Sequence, residues 1–329
     1  MEPIYKVVDL KKSFPAKSQG FFKSPGRMVP AVDGVSFEVY KGETFGIVGE
    51  SGCGKTTLAR LMLRLIEPTN GSIFYAGREI TRLKPAEMKA LRRKMQMIFQ
   101  DPYDSLNPKK NILEIIAEPL KVHGLARDGS LEEKVQQALT LVDLPNNEDF
   151  LSKMPEELSG GQRQRIGIAR ALIIGSEFII GDEPVSMLDA SVKAGIIALL
   201  TDLKQKKELT YIFITHEIGL AYHICDRIAV MYRGKIMEMG QAEAVIRQPL
   251  HPYTGLLMQA IPPLQPDSLW AKDLQKTGDA FSGGQLDQGC RFRTRCPRVE
   301  ETCRQQEPAL KEIQPGRFVA CGGEEADRL

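Results

Sequence analysis

An open α/β fold, a parallel sheet with helices over its faces, is predicted by three observations in this 329-residue sequence. Thr44–Val48 is a short, largely apolar run that suits a buried strand. It leads directly into Gly49-Glu50-Ser51-Gly52-Cys53-Gly54-Lys55-Thr56, and apolar residues at helical spacing follow from Thr57 to Leu65. Further buried-strand runs stand at Met95–Phe99, Glu177–Gly181 and Thr210–Thr215, each with polar chemistry just past its C-terminal end. Helical stretches lie between these runs, as crossovers between parallel strands require.

The first strand, glycine loop and helix arrive in the order that a phosphate cradle needs. Glycines at 49, 52 and 54 let backbone N–H groups turn inward on an anion, and the new helix points its positive end there. The whole run Gly49, Glu50, Ser51, Gly52, Cys53, Gly54, Lys55, Thr56 and Thr57 is therefore assigned to nucleotide binding. Lys55 is expected to reach the β- and γ-phosphates, and the Thr56 hydroxyl to hold Mg²⁺.

Composition sets the frame around that loop. The chain has room for two domains, or for one large domain and an appendage, and 42% hydrophobic with 26% charged residues is an ordinary globular balance. A formal net charge of +2 implies no strong attraction to nucleic acid or an acidic membrane. The opening MEPIYKVVDLKKSF lacks the apolar centre of a signal peptide, and no apolar run approaches bilayer-spanning length. A cytosolic protein is expected, with any membrane role supplied by a partner. Six cysteines are then poor disulfide candidates. Cys53 and Cys225 read as small buried residues; Cys290, Cys296, Cys303 and Cys321 cluster in the tail.

Taken in order, Ile4–Leu10 and Ala31–Val39 read as strands, separated by a Gly-, Pro-, Ser- and Lys-bearing loop over Lys17–Pro30. Phe14, Phe21 and Phe22 are aromatics that either stack on a base or pack locally. Phe14 is favoured for stacking because it closes the first strand. Pro68–Gly71 is a turn, SIFYAGREI a strand, a turn at Ala76-Gly77 and a short strand, and Pro85–Lys94 a charged helix. Gln100 follows the Met95–Phe99 strand and is placed to reach the γ-phosphate side, through Mg²⁺ or the attacking water.

Asp101–Glu157 reads as a helical insert, with periodicity at Ile112–Leu120 and Leu131–Leu141. Leu158-Ser159-Gly160-Gly161-Gln162 then opens another helix, with Ser159 as its cap and two glycines for close approach. This is a second anion-binding helix start in one chain. Glu177–Gly181 ends in Asp182-Glu183-Pro184: Asp182 can hold Mg²⁺ through water, and Glu183 can orient and deprotonate an attacking water. Ser186–Asp189 leads into a helix over Ala190–Lys207, and His216 ends the Thr210–Thr215 strand as a γ-phosphate sensor. Arg227–Tyr232 and Lys235–Met239 form a hairpin about Arg233-Gly234. From Gln241 onward the sheet pattern is expected to stop, giving way to helices at Ala242–Arg247 and over HPYTGLLMQAI. Pro262-Pro263 and Gln265-Pro266 mark a boundary, and the tail beyond is too poor in apolar runs to build much core without a staple. Phe281–Gln285 repeats the SGGQ letters without the helix and Asp-Glu strand that should follow, and receives no nucleotide role.

With these residues in hand, the chain resembles the ATPase subunit of an ATP-binding cassette (ABC) transporter over nearly its whole length. Gly49–Thr56 resembles the Walker A loop, Gln100 the Q-loop, Leu158–Gln162 the signature motif and Phe178–Asp182 Walker B with Glu183 the catalytic glutamate. Ser186–Asp189 resembles the D-loop and His216 the switch histidine. Six motifs in order are far more specific than any one. Two departures are noted: Phe14 where many cassettes stack a Tyr on adenine, and Gly181 within the Walker B strand. The resemblance implies a P-loop NTPase with a RecA-like core, an antiparallel β subdomain and a helical subdomain at about 101–165, all within residues 1–240. A small cysteine-containing extension occupies 241–329.

DPYDSLNP after Gln100, HPYT at 251–254 and the tail GCRFRTRCP with two later cysteines resemble the dipeptide/oligopeptide importer branch. That resemblance implies ATP and Mg²⁺ as ligands and head-to-tail pairing with a sister ATPase subunit, as a heterodimer or a homodimer. Each ATP then lies between one subunit's Lys55 loop and the other's Ser159 helix start, and Ser159, Gly160, Gly161, Gln162 and Asp189 join the nucleotide-binding set. It also implies two transmembrane permease subunits, an extracytoplasmic solute-binding protein acting indirectly, no nucleic acid, and a peripheral place on the cytoplasmic face of the inner membrane. Nickel, glutathione and certain sugars share this ATPase type, so the solute stays open. A soluble ABC ATPase of DNA repair or translation is the rival class, and the insert is too short for a repair coiled coil.

The four tail cysteines suit a metal site better than disulfides. Zinc ribbons usually pair cysteines two to four apart, and the gaps here are wider. Ligation by four thiolates also suits a [4Fe–4S] cluster, the importer resemblance points the same way, and Cys296-Pro297 is similar to the Cys-Pro step of ferredoxins. Zinc and unliganded thiols remain the alternatives.

Overall fold

The computed structural model describes residues 2–15, 28–126, 130–259 and 288–322. Phe21, Phe22, the Pro262-Pro263 and Gln265-Pro266 boundary and the Phe281–Gln285 repeat lie outside the described residues. The chain starts with an antiparallel pair, β1 (Tyr5–Pro15) and β2 (Met28–Val39), both longer than the alternation pattern suggested. Then come β3 (Thr44–Val48), α1 (Lys55–Met62) and the hairpin β4 (Asn70–Tyr75) and β5 (Arg78–Glu79). Ala76 and Gly77 both take positive φ, 48° and 75°, as a two-residue turn with the twist of its strands requires. α2 (Pro85–Leu91) leads to β6 (Met95–Ile98).

The helical insert consists of α3 (Ile112–Val122), α4 (Leu131–Leu141), α5 (Glu148–Leu151) and α6 (Gly160–Leu172). β7 (Phe178–Asp182), α7 (Ala190–Lys207), β8 (Thr210–Thr215), α8 (Ile218–Ile224), β9 (Arg227–Tyr232) and β10 (Lys235–Gln241) follow. α9 (Ala242–Arg247), α10 (Pro252–Gln259), α11 (Glu301–Gln305), β11 (Lys311–Gln314) and β12 (Arg317–Val319) complete the described chain.

Two sheets result. The larger has the order β11-β12-β10-β9-β3-β8-β7-β6, in which β9, β3, β8, β7 and β6 run parallel and β10, β12 and β11 form an antiparallel wing. The smaller, β2-β1-β4-β5, is wholly antiparallel. The period-two rule divides the central strands between two cores. Ile47, Phe178, Ile180, Ile212 and Ile214 face the core shared with α1 and the small sheet; Val48, Ile179, Tyr211 and Phe213 face the core shared with the helices. Strands buried on both faces read as unbroken apolar runs, which is why β3, β7 and β8 were visible in the sequence.

One expectation is overturned. The sheet does not stop at Gln241: β12 pairs with β10 at Glu238↔Val319 and Met239↔Phe318, and β11 pairs with β12. The tail, too poor in apolar residues for a core of its own, joins those already present. Cys290 and Phe292 are buried in the helical-side core, with Cys296 and Cys303 against it, and Leu310 and Phe318 pack on the other. A buried ion pair fixes this attachment, Arg317 of β12 with the fully buried Glu238 of β10.

Candidate functional site

The C-terminal ends of the parallel strands line up. Val48 pairs with Thr215, Asp182 with Ile214 and Ile98 with Gly181. The residues just beyond, Gly49, His216, Glu183 and Gln100, therefore emerge side by side on one edge of the sheet, the edge at which open α/β sheets bind ligands.

The loop from Gly49 to Gly54 has the backbone its glycines allow. Gly49 has φ 157°, and a Cβ there would lie 2.2 Å from the Met231 carbonyl oxygen. Gly54 has φ 109°, and its Cβ would lie 2.1 Å from the Ala31 carbonyl oxygen. Ser51 and Gly52 are exposed at the crown of the loop, Cys53 is buried beneath it, and Thr56 and Thr57 are half-buried in the first turn of α1. Gly54 caps α1 without a side-chain bond, and no acid sits in the first turn, so the helix start keeps its positive end for an anion. The Lys55 ammonium donates to the Gly49 carbonyl at 2.8 Å and the Glu50 carbonyl at 2.9 Å, and it lies 3.9 Å from Glu183 Oε1.

Around it the polar groups are tied together. The Thr56 hydroxyl donates to Asp182 Oδ1 at 3.1 Å. Burial pushes the Asp182 carboxyl up from its usual range, and the Thr56 hydrogen bond opposes that. Glu183 Oε2 accepts from Gln100 Nε2 at 3.1 Å and lies 3.0 Å from His216 Nδ1. Glu183 has φ 48°, the left-handed region that carboxylate side chains enter at a cost of about 1–3 kcal/mol. Its N–H is held by the Ile214 carbonyl at 2.9 Å, which stabilises this conformation. Gly181 makes the turn possible: a Cβ there would stand 3.1 Å from Pro184 Cγ, so the glycine in the β7 strand makes room for the proline to fold back.

This set can bind a polyphosphate and a hard cation and can activate water. Thr56, Asp182 and Gln100 offer a hydroxyl, a carboxylate and an amide oxygen, donors that suit Mg²⁺ completed by phosphate and water. A carboxylate oriented by an amide and an imidazole is a general base in position.

Other assigned residues lie elsewhere. Ser159 caps α6: its hydroxyl accepts from Gln162 N at 3.3 Å, and Gln162 Oε1 accepts from Ser159 N at 3.0 Å. Ser159 is exposed. Gly161 has a packing reason as well, since a Cβ there would lie 2.6 Å from Val192 Cγ1 of α7. Gly160 is open apart from Leu188 at 3.5 Å and the Tyr103 hydroxyl at 3.8 Å. Asp189 is exposed at the start of α7. Among the described residues, no hydrogen bond or ion pair joins Ser159–Gln162 or Asp189 to the Gly49–Thr57 run. Phe14 is 41% exposed near the end of β1, with the Lys12 ammonium 5.3 Å above its ring.

Glu50 has partners outside the loop. Its carboxylate accepts two parallel bonds from Arg295, at 2.8 and 2.9 Å, and its N–H donates to the Tyr253 hydroxyl at 3.0 Å. The N–H and the side chain face the tail, while the carbonyl stays with the cradle and accepts the Lys55 ammonium at 2.9 Å. Neither partner was found from sequence as a neighbour of the loop. HPYT stood out as a motif, but an ion pair across a separation of 245 residues leaves no periodic signal.

None of the tail cysteines is in a disulfide. The Cys290 N–H donates to the Cys303 carbonyl at 2.7 Å. Burial pushes the Cys296 thiol up to about 11, with Cys321, Cys290 and Cys303 adding to it, and Cys290 is raised by burial with contributions from Cys303 and Cys321. Among the described residues, no three His, Cys, Asp or Glu side chains are gathered so as to hold a metal ion.

Comparison with known proteins agrees with the geometry. The ABC transporter family matches residues 32–186, and the oligopeptide/dipeptide transporter C-terminal region matches residues 237–303. The chain is 47% identical to YkfD and 45% identical to the oligopeptide transport ATP-binding protein AppF, both of Bacillus subtilis. Each alignment covers 97% of this chain, with 95% and 97% of the relative. It is 41% identical to the dipeptide transport ATP-binding protein DppF of Haemophilus influenzae, over 97% of this chain and 96% of that one. Among solved structures it resembles the dimeric ATP-binding cassette MJ0796 bound to ADP and Pi, at 27% identity and a TM-score of 0.62, over 72% of this chain and 98% of that one. It also resembles CbiO1 of Clostridium perfringens, part of the CbiONQ transporter complex, at 25% identity and a TM-score of 0.63, over 75% and 92%.

Proposed function

The chain belongs to the ABC transporter ATPases that carry an oligopeptide/dipeptide-transporter C-terminal region, and from that premise we propose that it hydrolyses ATP to drive peptide import. The observation that carries the reading is the convergence of Lys55, Thr56, Gln100, Asp182, Glu183 and His216 on one edge of the sheet. Lys55 and the N–H groups of the glycine loop bind the triphosphate, and Phe14 stacks on adenine. Thr56, Asp182 and Gln100 hold Mg²⁺, which supplies charge neutralisation at the phosphates. Glu183 takes the proton of the attacking water at its carboxylate, held in place by Gln100 and by His216, which also senses the γ-phosphate.

The separation of Ser159–Gln162 and Asp189 from the loop favours a shared site. Each cassette gives its loop to one ATP and its α6 start to the other, with a sister subunit completing the pair. Residues 1–240 form the cassette, with a helical subdomain at about 101–165 that docks on two permease subunits, and 241–329 form the extension. No helix among the described residues is long and apolar enough to cross a membrane. The family resemblance supports attachment through those permeases at the cytoplasmic face.

We propose further that the tail cysteines take a [4Fe–4S] cluster, a reading that rests on the sequence. What supports it is the set of four cysteines, Cys290, Cys296, Cys303 and Cys321, and the Cys296-Pro297 step, since four thiolates are the ligand set such a cluster takes. When bound, the cluster ties the tail together in place of an apolar core.

Reconstitution with the permease subunits tests the reading. Peptide-loaded binding protein should stimulate ATP hydrolysis and peptide uptake together; stimulation by nickel, glutathione or a sugar instead would reassign the solute. Anaerobically purified protein should be brown with about four irons per chain and lose them on Cys296→Ser. Colourless protein with stoichiometric zinc, or with no metal, rejects the cluster.

A further inference from the structure

We propose that the C-terminal extension is a clamp on the phosphate loop, with Arg295 and Tyr253 as positioning residues that fix Glu50 and, through it, Lys55 for ATP. The inference rests on the ATP reading of the loop and adds to it residues outside the six motifs.

Glu50 is a joint with three connections. Its carboxylate takes the paired bonds of Arg295, its N–H goes to Tyr253, and its carbonyl accepts the Lys55 ammonium at 2.9 Å. The Tyr253 bond fixes the Gly49–Glu50 peptide, whose Gly49 carbonyl also accepts the Lys55 ammonium at 2.8 Å, and the Arg295 pair holds the Glu50 side chain beside it. A forked guanidinium–carboxylate pair fixes orientation as well as distance. The Arg295 side chain is 18% exposed and Glu50 34%, so solvent screens this pair less than a surface ion pair.

The anchor behind the joint is rigid. Tyr253 is fully buried, its ring 4.6 Å from Tyr232 and 5.4 Å from Phe292, and the Arg295 guanidinium lies over the same two rings at 5.9 and 5.8 Å. The Tyr253 N–H donates to His251 Nδ1 at 3.0 Å, and the Leu250 and His251 N–H groups both donate to Glu238, the residue paired with Arg317. A second grip acts on the other side of the loop. Arg291 donates to the Arg233 carbonyl and pairs with Asp33, and the adjoining Gly234 N–H donates to the Cys53 carbonyl at 2.8 Å. The extension thus holds the loop at Glu50 and, through the β9–β10 turn, at Cys53. A tie meant only to keep the tail attached has no need to end on the peptide that aims the phosphate-binding lysine.

The test is equilibrium binding of a fluorescent ATP analogue with Mg²⁺ to the full chain in complex with its permease subunits. Tyr253→Phe keeps the packed ring and removes only the hydroxyl; Arg295→Gln and Glu50→Gln remove the charge pair. Arg295→Gln and Glu50→Gln should each raise the Kd roughly tenfold, the scale of a lost charged hydrogen bond, and Tyr253→Phe about threefold. The Arg295→Gln, Glu50→Gln double variant should bind no more weakly than either single, because both remove one shared interaction. The exchange Arg295→Glu with Glu50→Arg should recover most of the affinity, which a general loss of tail packing would not. Affinities within about twofold of wild type, or single losses that multiply in the double, overturn the clamp. Lowered melting temperatures with unchanged affinity do so too, since they leave the contacts merely structural. If the wild-type chain binds no nucleotide, the ATP reading fails first and the clamp with it.

Discussion

Gly54 shows how the loop sequence is set by sterics before chemistry. A methyl group at that position meets the Ala31 carbonyl at 2.1 Å in a backbone that L side chains rarely adopt. The cradle therefore depends on glycine as much as on Lys55. Most site chemistry was legible at this scale because it sits in short local patterns: the loop residues, Gln100, Asp182-Glu183 and His216 each follow a strand end. The tail contacts of Glu50 were not legible, because backbone spacing alone does not reveal which way a side chain turns; Arg295 and Tyr253 decide that. Phe14 was chosen for its place near the end of β1, and its ring is accessible. Phe14→Ala should weaken ATP binding by about 1–3 kcal/mol, the range for a stacked base. Calorimetry with ATP, set against the same measurement with Phe21→Ala and Phe22→Ala, checks this, and an unchanged affinity places the base contact elsewhere.

Elements differ in how plainly the sequence announces them. α4 falls at Leu131–Leu141, the range its apolar period gave, because one face is buried and the other polar. α6 begins one residue after Ser159, as a capping residue requires. β11 and β12 escaped notice. KEIQ and RFV are too short for a clear alternation, and their pairing partner β10 precedes them by a long stretch of chain. The start of α6 is exposed, and among the described residues no hydrogen bond or ion pair ties it to the phosphate loop. Ser159→Arg should abolish ATP-driven pairing with the sister subunit while leaving ATP affinity at the Lys55 loop intact. Ser159→Asn, which keeps a capping oxygen, separates that effect from the cap, whose loss costs about 1 kcal/mol. The check is ATP affinity and ATP-dependent association measured on the same protein. Equal loss of both would mean that α6 serves the nucleotide of its own chain.

At the scale of the whole molecule, one sheet carries three jobs. Its parallel strands deliver the nucleotide residues to a common edge. Its helical face holds the insert that reaches the α6 terminus. Its antiparallel wing receives the tail, which returns to touch the loop. Binding and release of ATP at such a shared edge can bias two arrangements of a pair of cassettes, which is how hydrolysis drives a transporter. In the function proposed above that cycle turns on Glu183, and the direct test is ATP binding and steady-state ATP hydrolysis by the assembled transporter with Glu183→Gln. The amide keeps the shape of the side chain and removes its basicity. ATP should bind as in wild type, turnover should nearly vanish, and the paired, ATP-bound state should accumulate. Hydrolysis near the wild-type rate would contradict the account.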